Sequence, residues 1–288
     1  MTTRVRFLFA ACGLALAFAG CSTALSSFNP AHVPRKHGVH AEMGMDVSVP
    51  TGTISKTIDA GENLADKAQN NQTLTREDQL QLFDAGVNLA LNPPSVLQHF
   101  GIAFAPIART EVSLRFVGGG WRVGGRYQLL EQGVNSSWDL TVGLGGMRQA
   151  YSFPIDNVLD IVELKDFNRF TVDVPIAFGR RGSWYRFWGG PRLLWTTGHT
   201  EMTLNLPRVS QALLATADSS GIYYGVQSGF AVGYKHVFFG FELNLVQFQG
   251  SGTLTAMTFT DGQVGETTRT VDLSGFVVYP GIALMGEF

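Results

Sequence analysis

Cysteine is almost absent from this chain. There are two in 288 residues, and Cys12 lies inside the apolar stretch Phe7 to Ala19. That stretch follows Arg4 and Arg6 and has the layout of a secretory signal. Its removal leaves Cys21 without a partner, so no disulfide framework is expected. Charge is scarce as well: 15% of residues are charged and the formal net charge is −2. No basic surplus exists for nucleic acid or for a polybasic membrane patch. Beyond the signal, no stretch offers the ~20 continuous apolar residues of a membrane helix, so any span must be made of strands. Phosphate loops and dinucleotide fingerprints in a strand-to-helix setting are missing too. His32, His37, His40, His99, His199 and His236 form no pair with Cys or with each other at ligand spacing, so neither a metal nor another cofactor is expected.

What the chain does have is glycine (34 residues), aromatics (11%) and a two-residue period. Between Tyr223 and Gln247 one face reads Tyr224, Val226, Phe230, Val232, Tyr234, then, after Lys235-His236, Val237, Phe239, Phe241, Leu243, Leu245. The other reads Gly225, Gln227, Gly229, Ala231, Gly233, then Gly240, Glu242, Asn244. Side chains of a strand alternate between faces, so this is a hairpin with one apolar and one small or polar face. Each strand is about ten residues long, the length a tilted strand needs to cross hydrocarbon. The pattern suits lipid outside and a polar lumen inside.

The same alternation recurs along the chain. Val39 to Val49 forms a first strand with His40, Glu42, Gly44, Asp46 and Ser48 on its polar face. The insert Thr51 to Ser95 interrupts it. There Asp59-x-x-Glu62 and Thr75-x-x-Asp78 resemble capping boxes, and Leu80, Phe83, Val87 and Leu91 recur at helical spacing before Asn92-Pro93-Pro94. Apolar alternation resumes around Phe100, Leu114, Val123, Val142, Val174 and Leu193, giving about ten strands in all. Short connections near 106–109, 132–136, 180–183 and 235–236 alternate with long ones near 51–95, 151–166, 205–220 and 249–268. Helical turns are expected in the long ones near Val158 and Leu213. The exception is the tight Gly118-Gly120 turn, which occupies a long-connection slot. Trp121, Tyr127, Trp138, Tyr185, Trp195, Tyr224, Tyr234 and Tyr279 fall near strand ends, where membrane-interface girdles form. Trp184 and Trp188 have the opposite parity, leaving lumen filling or a bulge as the alternatives.

The last strand, with Phe276, Val278, Ile282, Leu284 and the terminal Phe288, resembles the assembly signal of Gram-negative outer-membrane β-barrel proteins; Pro280 and Gly286 depart from it. Phe18-Ala19-Gly20-Cys21 resembles the lipobox of bacterial lipoproteins, with Phe18 in place of the usual Leu; the alternative is ordinary cleavage after Ala17-Phe18-Ala19. Together these resemblances imply an all-β, antiparallel up-and-down transmembrane barrel. They imply a signal peptide at 1–20, a periplasmic tether at 21–38 and the barrel at 39–288, with 51–95 as an external helical insert. Cys21 would carry lipid and hold the N-terminus at the periplasmic face of the outer membrane. The implied partners are outer-membrane lipid and the assembly machinery.

Eleven charged residues share the inward parity: Glu42, Asp46, Glu111, Asp139, Asp173 and Glu242 against Arg115, Arg122, Arg126, Arg186 and Arg192. Their near balance predicts mutual pairing within a narrow lumen rather than a selectivity ring. No catalytic set stands out; His199 with Glu201 and the nearby Thr196, Thr197 and Thr200 is the only loose grouping. The expected function is a structural barrel or narrow passive pore capped by its external insert. The alternatives are a transporter of a small hydrophobic ligand and a barrel enzyme acting on lipid or protein.

Overall fold

A computed structural model describes residues 23–69, 93–152, 162–204, 213–260 and 263–288. Its elements are β1 (Val39–Pro50), α1 (Thr51–Gln69), β2 (Ser95–Ile107), β3 (Thr110–Val117), β4 (Gly120–Leu130), β5 (Asp139–Ser152), β6 (Val162–Arg181), β7 (Tyr185–Leu204), β8 (Leu213–Tyr234), β9 (Val237–Thr260), β10 (Gln263–Asp272) and β11 (Gly275–Glu287). Each strand from β1 to β9 pairs antiparallel with the next. β11 pairs with both β9 and β1, which closes the sheet into a barrel of ten positions. Closure leaves no sheet edge around the ring. β10 does not add a position. It pairs with β9 over Ser251–Thr260, beyond the part of β9 that pairs with β11. The expected loop at 249–268 is therefore a hairpin that prolongs the wall.

The expected short connections all lie at one end. Two of them are two-residue turns, Ala108-Arg109 and Lys235-His236, in which Arg109 (φ 65°) and Lys235 (φ 55°) take the left-handed conformation that hairpin turns demand. Gly118 and Gly119, at φ 51° and 75°, make a tight turn at the opposite end, where Leu273-Ser274 also joins β10 to β11. Phe288 also lies at the short-turn end. Its N–H donates to the Val39 carbonyl at 2.9 Å and its carbonyl accepts from Val39 N–H at 2.9 Å, so the last residue buttons the seam between β1 and β11.

Outward parity is as the alternation predicts. Met43, Ile102, Val123, Leu144, Val226 and Phe241 are exposed around the ring. Aromatics mark both margins of this apolar belt. Trp121 packs edge-on against Phe116 at the long-connection margin (centroids 5.1 Å), and Trp138 stacks on Phe178 at the short-turn margin (4.7 Å). β6 to β9 run 20 to 24 residues, far beyond the belt. Their outward faces turn polar there, with Asn168, Ser220 and Gln249 exposed. Leu213 lies in β8, not in a helical turn, while Val158 falls outside the described residues.

Among the described residues no helix is long and apolar enough to cross a membrane. α1 starts directly at the end of β1, so Asp59 and Glu62 lie inside it rather than capping it. It leans on the β10–β11 turn: Lys56 Nζ reaches Asp272 at 3.2 Å and the Ser274 carbonyl at 3.1 Å, and Thr51 Oγ1 donates to the Phe276 carbonyl at 2.9 Å. Burial acts to raise the Asp272 carboxyl, but hydrogen bonds from Ser274 and the Lys56 ammonium outweigh it and hold the group below its ordinary range. The stripe Leu80, Phe83, Val87 and Leu91 lies outside the described residues.

One aromatic assignment changes and one open alternative is decided. Tyr279 is not a girdle residue; it faces inward and is fully buried. Trp188 also points inward, with no bulge in the β7–β8 register, whereas Trp184 sits exposed in the turn before β7. The alternation of β7 decides both, because Phe187 and Gly189 must face out.

Candidate functional site: a filled lumen

The barrel interior contains a piece of its own chain. Residues 23–33, expected to lie in a tether beneath the barrel, are buried almost throughout: Thr23, Leu25, Ser26, Ser27, Phe28, Ala31 and Val33 each expose 4% or less. Only Arg35, Lys36 and His37 are exposed, just before β1. Ser, Asn and Pro without periodicity look like a linker in sequence; here those residues have no regular secondary structure because the wall side chains, not another strand, satisfy their backbone.

The contacts climb the barrel in order. Nearest the short turns, His32 Nε2 meets Glu287 at 3.1 Å, and Glu287 is clamped by Arg186 at 2.7 Å. Val33 N–H donates to Gln128 at 3.0 Å, and the Pro30 carbonyl accepts from Nη1 of Arg126, whose Nε and Nη2 donate to Glu111 at 2.7 and 2.8 Å. Higher up, Ser27 N–H and Phe28 N–H donate to the two oxygens of Glu242 at 2.7 and 2.8 Å. Successive backbone N–H groups of this kind make an anion-binding concavity, and Phe28 adopts φ 43° at the kink that forms it. Trp188 Nε1 (3.1 Å) and Asn244 Nδ2 (3.1 Å) donate to the same carboxylate, which is fully buried.

Next comes Ser26. Its hydroxyl donates to Asp46 at 2.5 Å, and Arg115 binds both its carbonyl and its Oγ while pairing with Glu42 at 2.9 Å. His99 Nδ1 lies 3.0 Å from Asp46. At the top, Thr23 Oγ1 meets Arg169 at 2.9 Å and Tyr223 Oη at 3.3 Å. The outward neighbours of those two residues, Phe170 and Tyr224, belong to the long-connection margin of the belt. The segment thus enters at the short turns and reaches the far margin by Thr23. Residues 23–33 thus run inside the ring and not in the tether expected below it.

Apolar packing flanks the polar layer on both sides. Phe28 and Ala31 pack with Trp188, Phe238, Ala283 and Met285 below. Ala24 and Leu25 join Leu97, Leu194, Val246 and Tyr279 above. Gly229 has no side chain because the Trp188 indole occupies that space. A cavity of about 10 Å3 beside Ser27, His40 and Glu42 has room for roughly one water.

The eleven inward charges are therefore all on the lumen side, but their partners are mixed. Arg122 and Arg192 share Asp173 at 2.7 and 3.1 Å, Arg126 takes Glu111, and Arg181 reaches Asp139 at 3.4 Å. Glu242 has no guanidinium within ion-pair distance among the described residues; backbone and Trp N–H groups hold it instead. Sequence reasoning put His99 and Gln128 on the inward parity without giving them a role, left Trp188 between lumen filling and a bulge, and missed Arg169, Tyr223 and the whole segment 23–33. For Arg169 parity was available; for the segment there was no periodic signal to find.

His199 belongs elsewhere. Its Nδ1 lies 2.7 Å from Asp218 on the outward face of the prolonged wall, both exposed, beside a shallow hollow of about 400 Å3. Thr196 and Thr200 point inward from the same strand, so the loose sequence grouping is split by the sheet. Among the described residues no cluster of His, Cys, Asp and Glu could hold a metal.

No family model and no curated protein matches this chain. Among solved structures it is similar to a major outer membrane protein from Thermus thermophilus (10% identity, 59% of this chain and 92% of that one, TM-score 0.34). It is also similar to Ail, the attachment invasion locus protein of Yersinia pestis (9%, 88% and 99%, TM-score 0.30), and to the outer membrane protease OmpT from Escherichia coli (10%, 92% and 99%, TM-score 0.37). Likeness at this level carries no argument about activity; the fold stands on the strand pairing.

Proposed function

We propose that this protein is an outer-membrane β-barrel closed by its own N-terminal segment, a structural and non-conducting barrel that carries a strand-built extension outside the cell. The burial of residues 23–33 within the ring carries the reading. A pore needs a continuous wet path, and here Phe28, Trp188 and the bound backbone fill the place where it would run. The apolar belt with aromatic margins suits a hydrocarbon layer, and barrels of this class keep short turns in the periplasm and long connections outside. Cys21 is the acyl acceptor in this reading, on the resemblance of residues 18–21 to a lipobox. Catalysis has no part in it: Ser219, a hydroxyl lining the same hollow as His199 and Asp218, donates to the Gly198 carbonyl.

Planar-bilayer recording tests the closure. The purified full chain should be silent, and a variant lacking Thr23 to Lys36 should conduct steadily once circular dichroism confirms its strands. Steady conductance from the full chain at rest would refute the reading.

A further inference from the structure

The filled lumen has a consequence for which side of the membrane the N-terminal end occupies. Residues 23–33 do not fold back within the barrel; their partners ascend without reversal. His32 lies at Glu287, beside the C-terminal residue; Pro30 lies at Arg126; Ser27 and Phe28 lie at Glu242; Ser26 lies at Asp46; Thr23 lies at Arg169 and Tyr223. Each step is fixed by a side chain of the wall, so the direction does not depend on one contact. The exit side is fixed too. Gln128, Arg126 and Glu287 close around the lower part of the segment, while above Thr23 the walls of β6 to β9 continue past the belt.

We infer that the chain threads its own barrel and presents its N-terminal end at the long-connection face, so that a group carried on that end is displayed outside the cell. The inference rests on the orientation proposed above, with short turns in the periplasm. Cys21 precedes Thr23 by two residues, and chain connectivity holds it within roughly 7 Å of Thr23. Acyl chains on Cys21 would then enter the outer leaflet or the external mouth, not the periplasmic leaflet. Threading also gives residues 23–37 a second task as the shaft that carries this end across the membrane.

An epitope placed between Ser22 and Thr23 of the full chain tests this in intact Gram-negative cells. Companion copies carry the same epitope in the Lys235-His236 turn or within residues 70–92. Antibody should bind the N-terminal epitope equally before and after the outer membrane is permeabilised, as for residues 70–92, and the turn epitope only afterwards. If the turn epitope is bound on intact cells, the assumed orientation is wrong. If the two companions behave as expected but the N-terminal epitope needs permeabilisation, threading is overturned. Because an added epitope could block passage through the lumen, Ser22→Lys with a polymeric, membrane-impermeant amine reagent gives a second readout. Modification of its N-terminal peptide in intact cells supports the inference; modification only after permeabilisation, or in neither state, overturns it.

Discussion

Replacing Glu242 by Ala should loosen the segment without touching the outside of the barrel. In the closed state the carboxylate takes the N–H groups of Ser27 and Phe28 at 2.7 and 2.8 Å, and all three residues are buried. Once the segment leaves the lumen those two N–H groups are solvated, so their loss of a partner penalises only the closed state. A buried donor left without an acceptor costs about 1–3 kcal/mol, so the pair costs about 2–6 kcal/mol. The Trp188 and Asn244 bonds are lost in both states and cancel to first order. At ~1.4 kcal/mol per tenfold, the balance between closed and vacated lumen shifts roughly thirtyfold to twenty-thousandfold. Bilayer recordings should show this as openings in Glu242→Ala that the unaltered chain lacks, accompanied by faster protease cleavage within residues 23–33. Glu242→Gln keeps one acceptor oxygen and should fall between. Asp218→Ala, at an exposed position, is the control. Silence from a correctly folded Glu242→Ala barrel, with cleavage unchanged, would refute the claim that this carboxylate holds the segment.

Phe241→Arg, on the outward face, should lower barrel stability in urea titrations from lipid vesicles by about 2–4 kcal/mol, as for charges at a bilayer midplane. Gln227→Arg should not be the tolerant inward counterpart that a watery lumen implies, because Gln227 is buried and its amide donates to the Ile176 carbonyl at 3.1 Å; it should cost about 1–3 kcal/mol through overpacking in the same titration. Gly229→Val drives a side chain into the Trp188 indole and should cost a similar amount, with Trp188→Phe in the same chain recovering part of it. Deleting Gly61 to Asn92 should leave bilayer current at baseline, since the closure lies in the lumen and not in a cap over it; a conducting deletion would make the insert the gate. Mass spectrometry of the mature protein should find an acylated N-terminal Cys21, and Gly20 as an unmodified N-terminus would exclude the lipid.

Period two made the wall legible. Phe230, Ala231 and Val232 can alternate in only one way, and one face must be buried, so parity placed Glu242, Asp46 and Arg192 inside before any pairing was known. It failed where a rule other than alternation governs. Tyr279 was assigned by its distance from the strand end, yet Val278 and Pro280 face out and force it inward. The hairpin of β9 and β10 reads as a loop because its exposed face carries Ser251, Thr253 and Thr270 in place of the apolar residues of the belt, although Leu254 and Val271 are buried on the other face. Residues 23–33 show no period because nothing in them repeats; each residue answers to a different side chain of the barrel.

That last point explains the charges. Six acids and five bases on the inward face look self-sufficient, and Arg126 with Glu111 or Arg122 with Asp173 are pairs of that kind. A chain lying unpaired in a barrel, however, brings one N–H and one carbonyl per residue that water no longer serves. A neutral wall could meet these needs with amides such as Gln128, but charged groups do so with stronger bonds and with capacity to spare. Arg115 and Arg126 each keep an acid and still donate to a carbonyl of the segment, while Glu242 gives both its oxygens to amides. The pairing that a balanced lumen requires and the grip that a threaded segment requires are thus met by the same side chains. It follows that withdrawing the segment would bare Glu242 and the Arg115 and Arg126 donors together, and the vacated passage would be lined by charge of both signs.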